Sequence, residues 1–183
     1  SLYGVVLGGR DNQMLSDAKS SVTFSGQDHL ILDQYSVIAG GYNHELDGEW
    51  SVILGGAANT ITGNYSVILN GSYNNIFGDN NISMGYLNII EGDYNAAVGI
   101  NHTIDADSSI AIGADITIDY DDVFIYSDGS MPAIASINNQ IVFFSSNGIG
   151  VNMSPSVGYA LSVSGSIAAD YFYGDGSNLV NVN

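Results

Sequence analysis

Short apolar runs recur at a fixed spacing along the chain, and Gly, Asn, Asp and Ser lie between them. Between Tyr3 and Asp121 the pattern restarts eight times, and the consensus unit reads aromatic, Ser-Val-x-Leu-Gly-Gly, then Asn, Ile and Gly. This period is too short for helical repeats or propeller blades, but it fits one coil of a β-solenoid. The units are Tyr3–Asp17, Ser20–Gln34, Tyr35–Glu49, Trp50–Asn64, Tyr65–Asp79, Asn80–Asp93, Tyr94–Asp107 and Ser108–Asp121, five of 15 residues followed by three of 14.

Each place in a unit has a characteristic residue type, and we number the places as positions 1 to 15, with position 6 missing from the three shorter units. Positions 3, 5 and 12 are apolar, as Val37, Ala39 and Leu46 are in the third unit. Positions 3 and 5 share one face of a strand, because successive side chains alternate. The pattern therefore predicts three apolar rows inside the coil and two short strands per coil.

Position 4 is also mostly apolar, and the alternation that turns positions 3 and 5 inward turns it outward. An outward apolar row is typical of a surface that contacts other copies of the chain. A row as long as the solenoid suggests protomers side by side around a parallel axis, which favours a homotrimer, although the pattern alone leaves a dimer open. The predicted trimer interface comprises Val6, Ile38, Ile53, Ile68, Ala97 and Ala111.

Two further positions predict how the coil turns and how its polar groups are satisfied. Glycine at positions 7 and 14 predicts corners with positive φ or closely approaching backbones. Position 10 is mostly Asn and holds all three histidines, His29, His44 and His102. It has the parity of position 12, so we expect a polar ladder that satisfies backbone groups from coil to coil. No carboxylate shares this row, which disfavours a metal site.

Position 1 is aromatic in several units, and Tyr35, Trp50 and Tyr65 follow one another in consecutive coils. We expect them to stack along an outward edge. Stabilisation of the solenoid is the preferred interpretation, since aromatic ladders contribute packing energy by themselves. The same three residues are the first candidates for glycan binding.

The repeat, as it stands at Tyr65–Leu69, resembles the head repeats of trimeric autotransporter adhesins of the YadA type, over about residues 3–121. The resemblance implies a left-handed parallel β-roll and the packing of three rolls into a trimer. Residues 148–182, including Phe172–Leu179, resemble a segment of trimeric phage tail fibres and long bacterial surface proteins. In those proteins the segment lies near a self-cleaving chaperone domain that guides trimer assembly.

The predicted fold class is all-β, a parallel β-roll or β-solenoid of eight coils capped by short hairpin strands, and it divides into three segments. Residues 1–121 form the β-roll head, residues 122–147 a capping connector, and residues 148–183 a C-terminal β segment. The hairpin is predicted from the alternating runs Val123–Tyr126 and Ile141–Phe144, because solenoids need capped ends. The chain begins inside a repeat-like phrase, so we expect a fragment of a longer protein.

The net charge of the chain limits the classes of molecule that it can bind. Only Arg10 and Lys19 oppose 19 carboxylates, which gives a formal net charge of −17. Nucleic acid and anionic bilayers should be repelled. No apolar stretch approaches the roughly 20 residues that span a membrane, so no membrane insertion is expected. The chain has no Cys, which excludes disulfides and thiol-ligated metal sites.

The acidic turns leave two alternatives open. Carboxylate pairs have the chemistry for glycoside hydrolysis, and polysaccharide-degrading tailspikes are also trimeric solenoids. Asp is nevertheless common in turns for conformational reasons, and a coil this small holds no deep cleft, so we predict no enzymatic activity. No cofactor is expected, with calcium as the open exception because clustered turn carboxylates suit that ion. The candidate metal ligands are Asp105, Asp107, Asp119 and Asp121.

The function predicted from these observations is non-enzymatic attachment to a host or surface by a trimeric fibre segment. Phage or contractile-tail fibres and bacterial adhesin heads both fit the pattern. The expected partners are two further copies of the chain and a glycan or protein on the host surface. The expected location is extracellular, on a cell surface or a virion tail fibre.

Overall fold

The computed structural model describes residues 4–146 and the backbone of 149–151 and 161–163. The described residues contain strands and turns and no helix. They form a parallel β-solenoid of about ten turns, each of roughly 14 residues, which confirms the predicted solenoid class. The chain divides into two compact units, Ser1–Ser146 and Asn147–Asn183.

Two rows of parallel strands run along the solenoid, one per side of the coil. The first row holds positions 3 and 4, and in later coils continues to position 8; its separate strands are Val5–Val6, Val22–Thr23, Val37–Ile38, Val52–Ile53, Val67–Ser72, Ile82–Tyr86 and Ile141–Phe144. The second row holds positions 11 and 12; its separate strands are Gln13–Met14, Leu30–Ile31, Glu45–Leu46, Thr60–Ile61, Asn75–Ile76 and Ile89–Ile90. Three long strands run through both rows: Ala96–Ile104, Ile110–Ile118 and Phe124–Ile134.

Backbone hydrogen bonds join equivalent positions of adjacent coils. The Val37 N–H donates to the Ser51 carbonyl at 3.0 Å, and the Ala39 N–H donates to the Ile53 carbonyl at 2.9 Å. The same register holds through the 15-residue coils, so a residue stacks on the residue one repeat away. It shifts where the shorter coils begin, with Ser83 opposite Ile68 but Met84 opposite Asn70, and again between Ala114 and Ile116. A side chain that packs well on an identical side chain therefore makes a stabilising contact in each coil, which explains the regular sequence period.

Residues 122–146 continue the solenoid, so the predicted hairpin cap was wrong. Phe124–Ile134 pairs in parallel with both Ile110–Ile118 and Ile141–Phe144, whereas a hairpin requires antiparallel neighbours. The turn residues between these strands do not reverse the chain. They complete a ninth coil and begin a tenth, with Asp122 and Asn139 in the same left-handed conformation as position 1 of earlier coils.

Corners arise where the backbone adopts positive φ. Gly56 at position 7 has a φ of 98°, and the non-glycine residues Trp50 at position 1 and Ala58 at position 9 have φ of 56° and 50°. Positions 7, 1 and 9 repeat this conformation in successive coils. The predicted positive φ is confirmed for the glycines of position 7, and the predicted close backbone approach for those of position 14, where a Cβ on Gly63 would overlap the Gly78 carbonyl oxygen. The two further corners, at positions 1 and 9, are built from residues that adopt positive φ at some energetic cost.

The interior of the coil is filled by positions 2, 4, 10 and 12. In the fourth coil these are Ser51, Ile53, Asn59 and Ile61, each with no solvent exposure. Positions 4 and 12 supply facing apolar rows, and positions 2 and 10 supply polar side chains at the two ends of this narrow interior. The inward orientation predicted for positions 10 and 12 is confirmed.

In the C-terminal unit the described strands Ile149–Val151 and Leu161–Val163 pair in parallel. They fall within the predicted C-terminal β segment. The other residues that carry the resemblance to tail fibres, Phe172–Leu179 among them, lie outside the described residues.

Candidate interaction surface

The predicted trimer interface lies inside the coil. Ile38, Ile53, Ile68, Ala97 and Ala111 are completely buried within their own chain, so they cannot contact a second copy. The sixth residue of that set, Val6 in the first described coil, is 47% exposed. The assignment of position 4 to the outside was wrong, and so was the inward assignment of positions 3 and 5.

The reason lies at position 2. Position 2 has the parity of position 4, and its Ser or Asn side chain can satisfy backbone groups at a corner where no strand pairing does so. A coil interior of this width has room for one apolar residue between such polar ends. Positions 3 and 5 are left outside, where each is partly or largely exposed.

The outward side of the first strand row is consequently an apolar face that runs along the whole solenoid. We call positions 3 and 5 of the ten coils the strand face. It carries no charged residue. Its members are Val5, Leu7, Val22, Phe24, Val37, Ala39, Val52, Leu54, Val67, Leu69, Ile82, Met84, Ala96, Val98, Ile110, Ile112, Phe124, Tyr126, Ile141 and Phe143.

The opposite side of the coil differs in character. The outward positions 11 and 13 of the second row include Glu45 with Asp47, Thr60 with Thr62, and Thr103 with Asp105, although Leu and Ile occur there too. Both sides share the same backbone period and the same interior. A sheet face made of apolar side chains is unusual for a surface that meets only water, so this side of the coil is the candidate interaction surface.

The strand face exposes many apolar side chains to solvent. Eleven of its twenty side chains are between 37% and 71% exposed, and the other nine are partly exposed. An uncharged face of this size on a chain with a net charge of −17 is the most conspicuous surface of the described residues.

The aromatic residues of position 1 lie on an outward edge, as predicted. Tyr35 and Trp50 stack with ring centroids 4.2 Å apart and planes within 11° of parallel. The two residues, together with Tyr65, are between 41% and 59% exposed. Stacking covers the faces that Tyr35 and Trp50 turn toward each other, and a ring face is what a sugar would need. The geometry thus favours the stabilising role of this pair over a glycan platform.

The position 10 ladder is confirmed. The backbone N–H of His44 donates to Nδ1 of His29 at 3.3 Å, and the N–H of Asn59 donates to Nδ1 of His44 at 3.2 Å. Oδ1 of Asn59 accepts from the N–H of Asn74 at 3.0 Å in the same manner. The two imidazole rings stack 4.9 Å apart and nearly parallel. An imidazole nitrogen thus takes the place of the Asn carbonyl oxygen.

This geometry requires neutral histidines. Nδ1 of His29 and His44 accepts a backbone proton, so the ring proton must sit on Nε2. Nε2 of both rings is buried and has no hydrogen-bond partner. Burial, and after it the charge of His29, lowers the pKa of His44 to about 4. Burial also lowers the pKa of His29 and of His102.

A second polar ladder, at position 2, was missed by the sequence analysis. The N–H of Ser51 donates to Oγ of Ser36 at 3.3 Å, and the Ser36 hydroxyl donates to the Gly48 carbonyl at 2.7 Å. Asn81 and Asn95 continue the ladder with their side-chain amides. The signal was available, because Ser or Asn occupies position 2 in consecutive units, but no role was predicted for that position.

The carboxylates proposed as metal ligands lie on the surface in two different rows. Asp107 and Asp121 belong to position 15, where Oδ1 of Asp121 accepts the N–H of Asp107 at 2.9 Å. Asp105 and Asp119 belong to position 13 and are exposed. Among residues 4–146 no three or more His, Cys, Asp or Glu side chains converge on a point that could hold a metal ion.

Two small recesses lie along residues 4–146. One recess of about 290 Å³ lies beside Lys19 and the carboxylates Asp17, Asp33 and Asp47. Another of about 250 Å³ lies at the position 9 corner beside Asp11 and Asp28. Both are just below the roughly 300–1,000 Å³ range of typical ligand pockets. An extended surface is therefore a better candidate for function than either recess.

In the part of the chain that the structure describes, no helix has the length and apolar character needed to cross a membrane. No protein-family model matches the chain, and no curated protein matches it. The geometry of the surface is thus what bears on function.

Proposed function

We propose that the chain is a non-enzymatic segment of an extracellular fibre that attaches to a host or another surface, and that three copies associate side by side through the strand face. One observation carries this proposal: an uncharged apolar face extends without interruption over ten coils of a strongly acidic chain. Removal of such a face from water stabilises association by roughly 25 cal/mol for each Å² buried. The strand face itself contains no carboxylate, so its burial against identical copies removes none of its own residues' charges from water.

The resemblance of residues 3–121 to YadA-type head repeats supports the same assembly and a left-handed coil. The resemblance of the C-terminal segment supports a fibre. Bacterial adhesin heads and phage tail fibres both meet these requirements. The domains that flank the segment distinguish them, since a membrane anchor marks an adhesin and a baseplate-binding domain with a chaperone marks a tail fibre.

Native mass spectrometry tests the assembly. We expect a species of three chains, and we expect Leu54→Asp to shift it toward single chains because the new carboxylate would be buried at the interface. Thr62→Asp is the matched control, since it adds the same charge to the same coil on the opposite side. A wild-type protein that remains a single chain at every concentration would contradict the proposal.

Binding and catalysis are tested on whichever oligomer forms. A glycan array and a host-surface binding assay should give retention without chemical change. Release of reducing ends from capsular or algal polysaccharide would instead support a polysaccharide-degrading enzyme and overturn the non-enzymatic proposal.

A further inference from the structure

Two corners border the strand face. The edge at position 1 carries Tyr35, Trp50, Tyr65 and Tyr94, and we call it the aromatic corner. The opposite edge at position 8 is a continuous parallel row, which we call the position 8 corner. Strands such as Ile82–Tyr86 carry positions 3 to 8 in one piece, so this corner belongs to the same sheet as the strand face.

Both corners combine large exposed side chains with an absence of charge. Tyr65 and Tyr94 are 59% and 65% exposed on one side, and Tyr42 and Ile100 are 51% and 53% exposed on the other. From the second to the eighth coil neither corner contains a charged residue. The chain has 19 acidic residues, and their absence from the strand face and, from the second to the eighth coil, from both corners indicates one continuous uncharged surface over these coils. In the ninth coil Asp122 and Asp128 occupy the two corners.

In the fourth to sixth coils the two corners pair a large residue with a smaller one, whereas in the third and seventh coils both corners carry a large residue, Tyr35 with Tyr42 and Tyr94 with Ile100. In the fourth coil Trp50 occupies the aromatic corner and Ala57 occupies position 8. In the fifth coil the pair is Tyr65 and Ser72, and in the sixth the larger residue changes sides, with Asn80 opposite Tyr86. The two members of a pair lie at opposite ends of one strand, so they do not pack against each other within a chain.

We infer that the aromatic corner of each copy packs against the position 8 corner of the next copy, coil against equal coil. This inference rests on the proposed assembly. In a cyclic arrangement the two edges of a face meet different neighbours, and the symmetry allows no shift along the axis. Trp50 then lies over Ala57 of the neighbouring copy, where the small side chain makes room for the indole.

The inference has a consequence for receptor binding. The aromatic ladder of Tyr35, Trp50 and Tyr65 is covered in the assembly, so it does not serve as a glycan platform. The polar side that carries positions 11 and 13 remains outside and faces the host. In this arrangement the aromatic ladder determines assembly.

Engineered cysteines test the contact directly, because the chain has no native Cys. In the double variant Tyr65→Cys and Ser72→Cys, mild oxidation by diamide removes two thiol hydrogens for each disulfide formed. Disulfides require Cα atoms within about 7 Å, and we expect them to join neighbouring chains into a covalent closed trimer. Each single variant is a matched control that should remain uncross-linked on a denaturing gel.

The outcomes separate the inference from the proposed function. A native trimer without cross-links overturns the corner packing and leaves the proposed assembly intact. A covalent dimer of the single Tyr65→Cys variant indicates two-fold packing and overturns both. A native mass of one chain overturns the proposed assembly first.

The single tryptophan provides a second readout that needs no cysteine variant. Trp50 is 49% exposed in the single chain, so its burial should lower acrylamide quenching severalfold in the assembly. Ala57→Glu should restore quenching and weaken association by roughly tenfold or more, because it places a charge against the indole. Unchanged quenching between assembled and dissociated protein would contradict the contact.

Discussion

At the residue scale, the coil depends on positions where one atom decides whether adjacent turns can stack. Gly56 has a φ of 98°, and a Cβ built on it would overlap the carbonyl oxygen of Gly71 in the next coil. The neighbouring Gly55 has no such constraint, since its nearest atom would be Oδ1 of Asn70 at 4.0 Å. Two adjacent glycines thus have different roles.

We predict that Gly56→Ala lowers the free energy of unfolding by more than about 3 kcal/mol, because backbone strain and overlap act together. Gly55→Ala should change it by less than about 1 kcal/mol. Urea denaturation followed by circular dichroism measures both. Equal effects of the two substitutions would show that the close approach of coils at position 7 is not what requires glycine.

The buried histidines make the interior sensitive to acid. Protonation of Nδ1 in His44 would replace an acceptor with a donor that faces the Asn59 N–H. The pKa of His44 is about 4 in the folded chain and near 6.5 when unfolded. Because the folded pKa is the lower one, stability is complete above pH 6.5 and falls as the pH drops from there toward 4.

We predict that His44→Asn keeps the stability of the native chain at pH 8 and removes part of its loss between pH 6.5 and 4, on the order of 3 kcal/mol. Asn59 and Asn74 already show that Asn fits this ladder. Thermal melts at half-unit pH intervals would measure the difference. The carboxylates titrate in both proteins, so parallel pH profiles would contradict the role of His44.

At the element scale, the sequence period predicted the solenoid, the corners and the position 10 ladder, but it did not predict which side of the first strand is inside. Both parities offer apolar residues, since Val37 and Ala39 flank Ile38. The deciding residue is Ser36 at position 2, which is buried and hydrogen-bonded from coil to coil. Apolar character alone does not decide which side of the strand is buried, whereas the need of Ser36 for buried hydrogen-bond partners does.

The segment after Asp121 was misread for a related reason. Its alternating runs fit a hairpin as well as another coil, because the unit is lengthened around Gly129 and the period is lost. What continues from the earlier coils is the strand register, in which Phe124 pairs with Ile110 and with Ile141. Long-range pairing of this kind is not encoded in local turn residues.

The corrected orientation gives a paired prediction on one strand. Ile53→Ala should lower the free energy of unfolding by about 2–5 kcal/mol at any protein concentration, because it opens a cavity in the interior of the coil. Leu54→Ala on the strand face should have an effect that grows with protein concentration, since it acts on association. Denaturation at several protein concentrations distinguishes the two variants. If the effect of Ile53→Ala depended on concentration and that of Leu54→Ala did not, Leu54 would lie inside the coil and Ile53 outside.

At the scale of the whole molecule, the acidic charge is arranged in rows along the axis. Oδ1 of Asp93 accepts the N–H of Asp79 at 2.7 Å, and Oδ1 of Asp107 accepts the N–H of Asp93 at 2.8 Å. Asn64 occupies the same row, and its Oδ1 accepts the Glu49 N–H at 2.9 Å. Each carboxylate thus satisfies a backbone group while it stacks on another carboxylate about 4.8 Å away, the spacing of adjacent strands.

We predict that Asp93→Asn stabilises the solenoid at low ionic strength by on the order of 1 kcal/mol. The amide oxygen still accepts the Asp79 N–H, and the repulsion from Asp79 and Asp107, about 1 kcal/mol for each pair in water, is removed. Thermal melts in 10 mM and 1 M NaCl should show a gain that disappears in high salt, where the screening length is only about 3 Å.

Asp128→Asn is the matched control, because it changes the net charge equally but removes a different kind of carboxylate. Hydrogen bonds from Ser130 and Ser146 hold the pKa of Asp128 well below its usual range, so its charge is favourable in the folded chain. This variant should not be stabilised at low salt. If both variants gain stability equally, overall net charge governs the fold, and the stacked row at position 15 has no special effect.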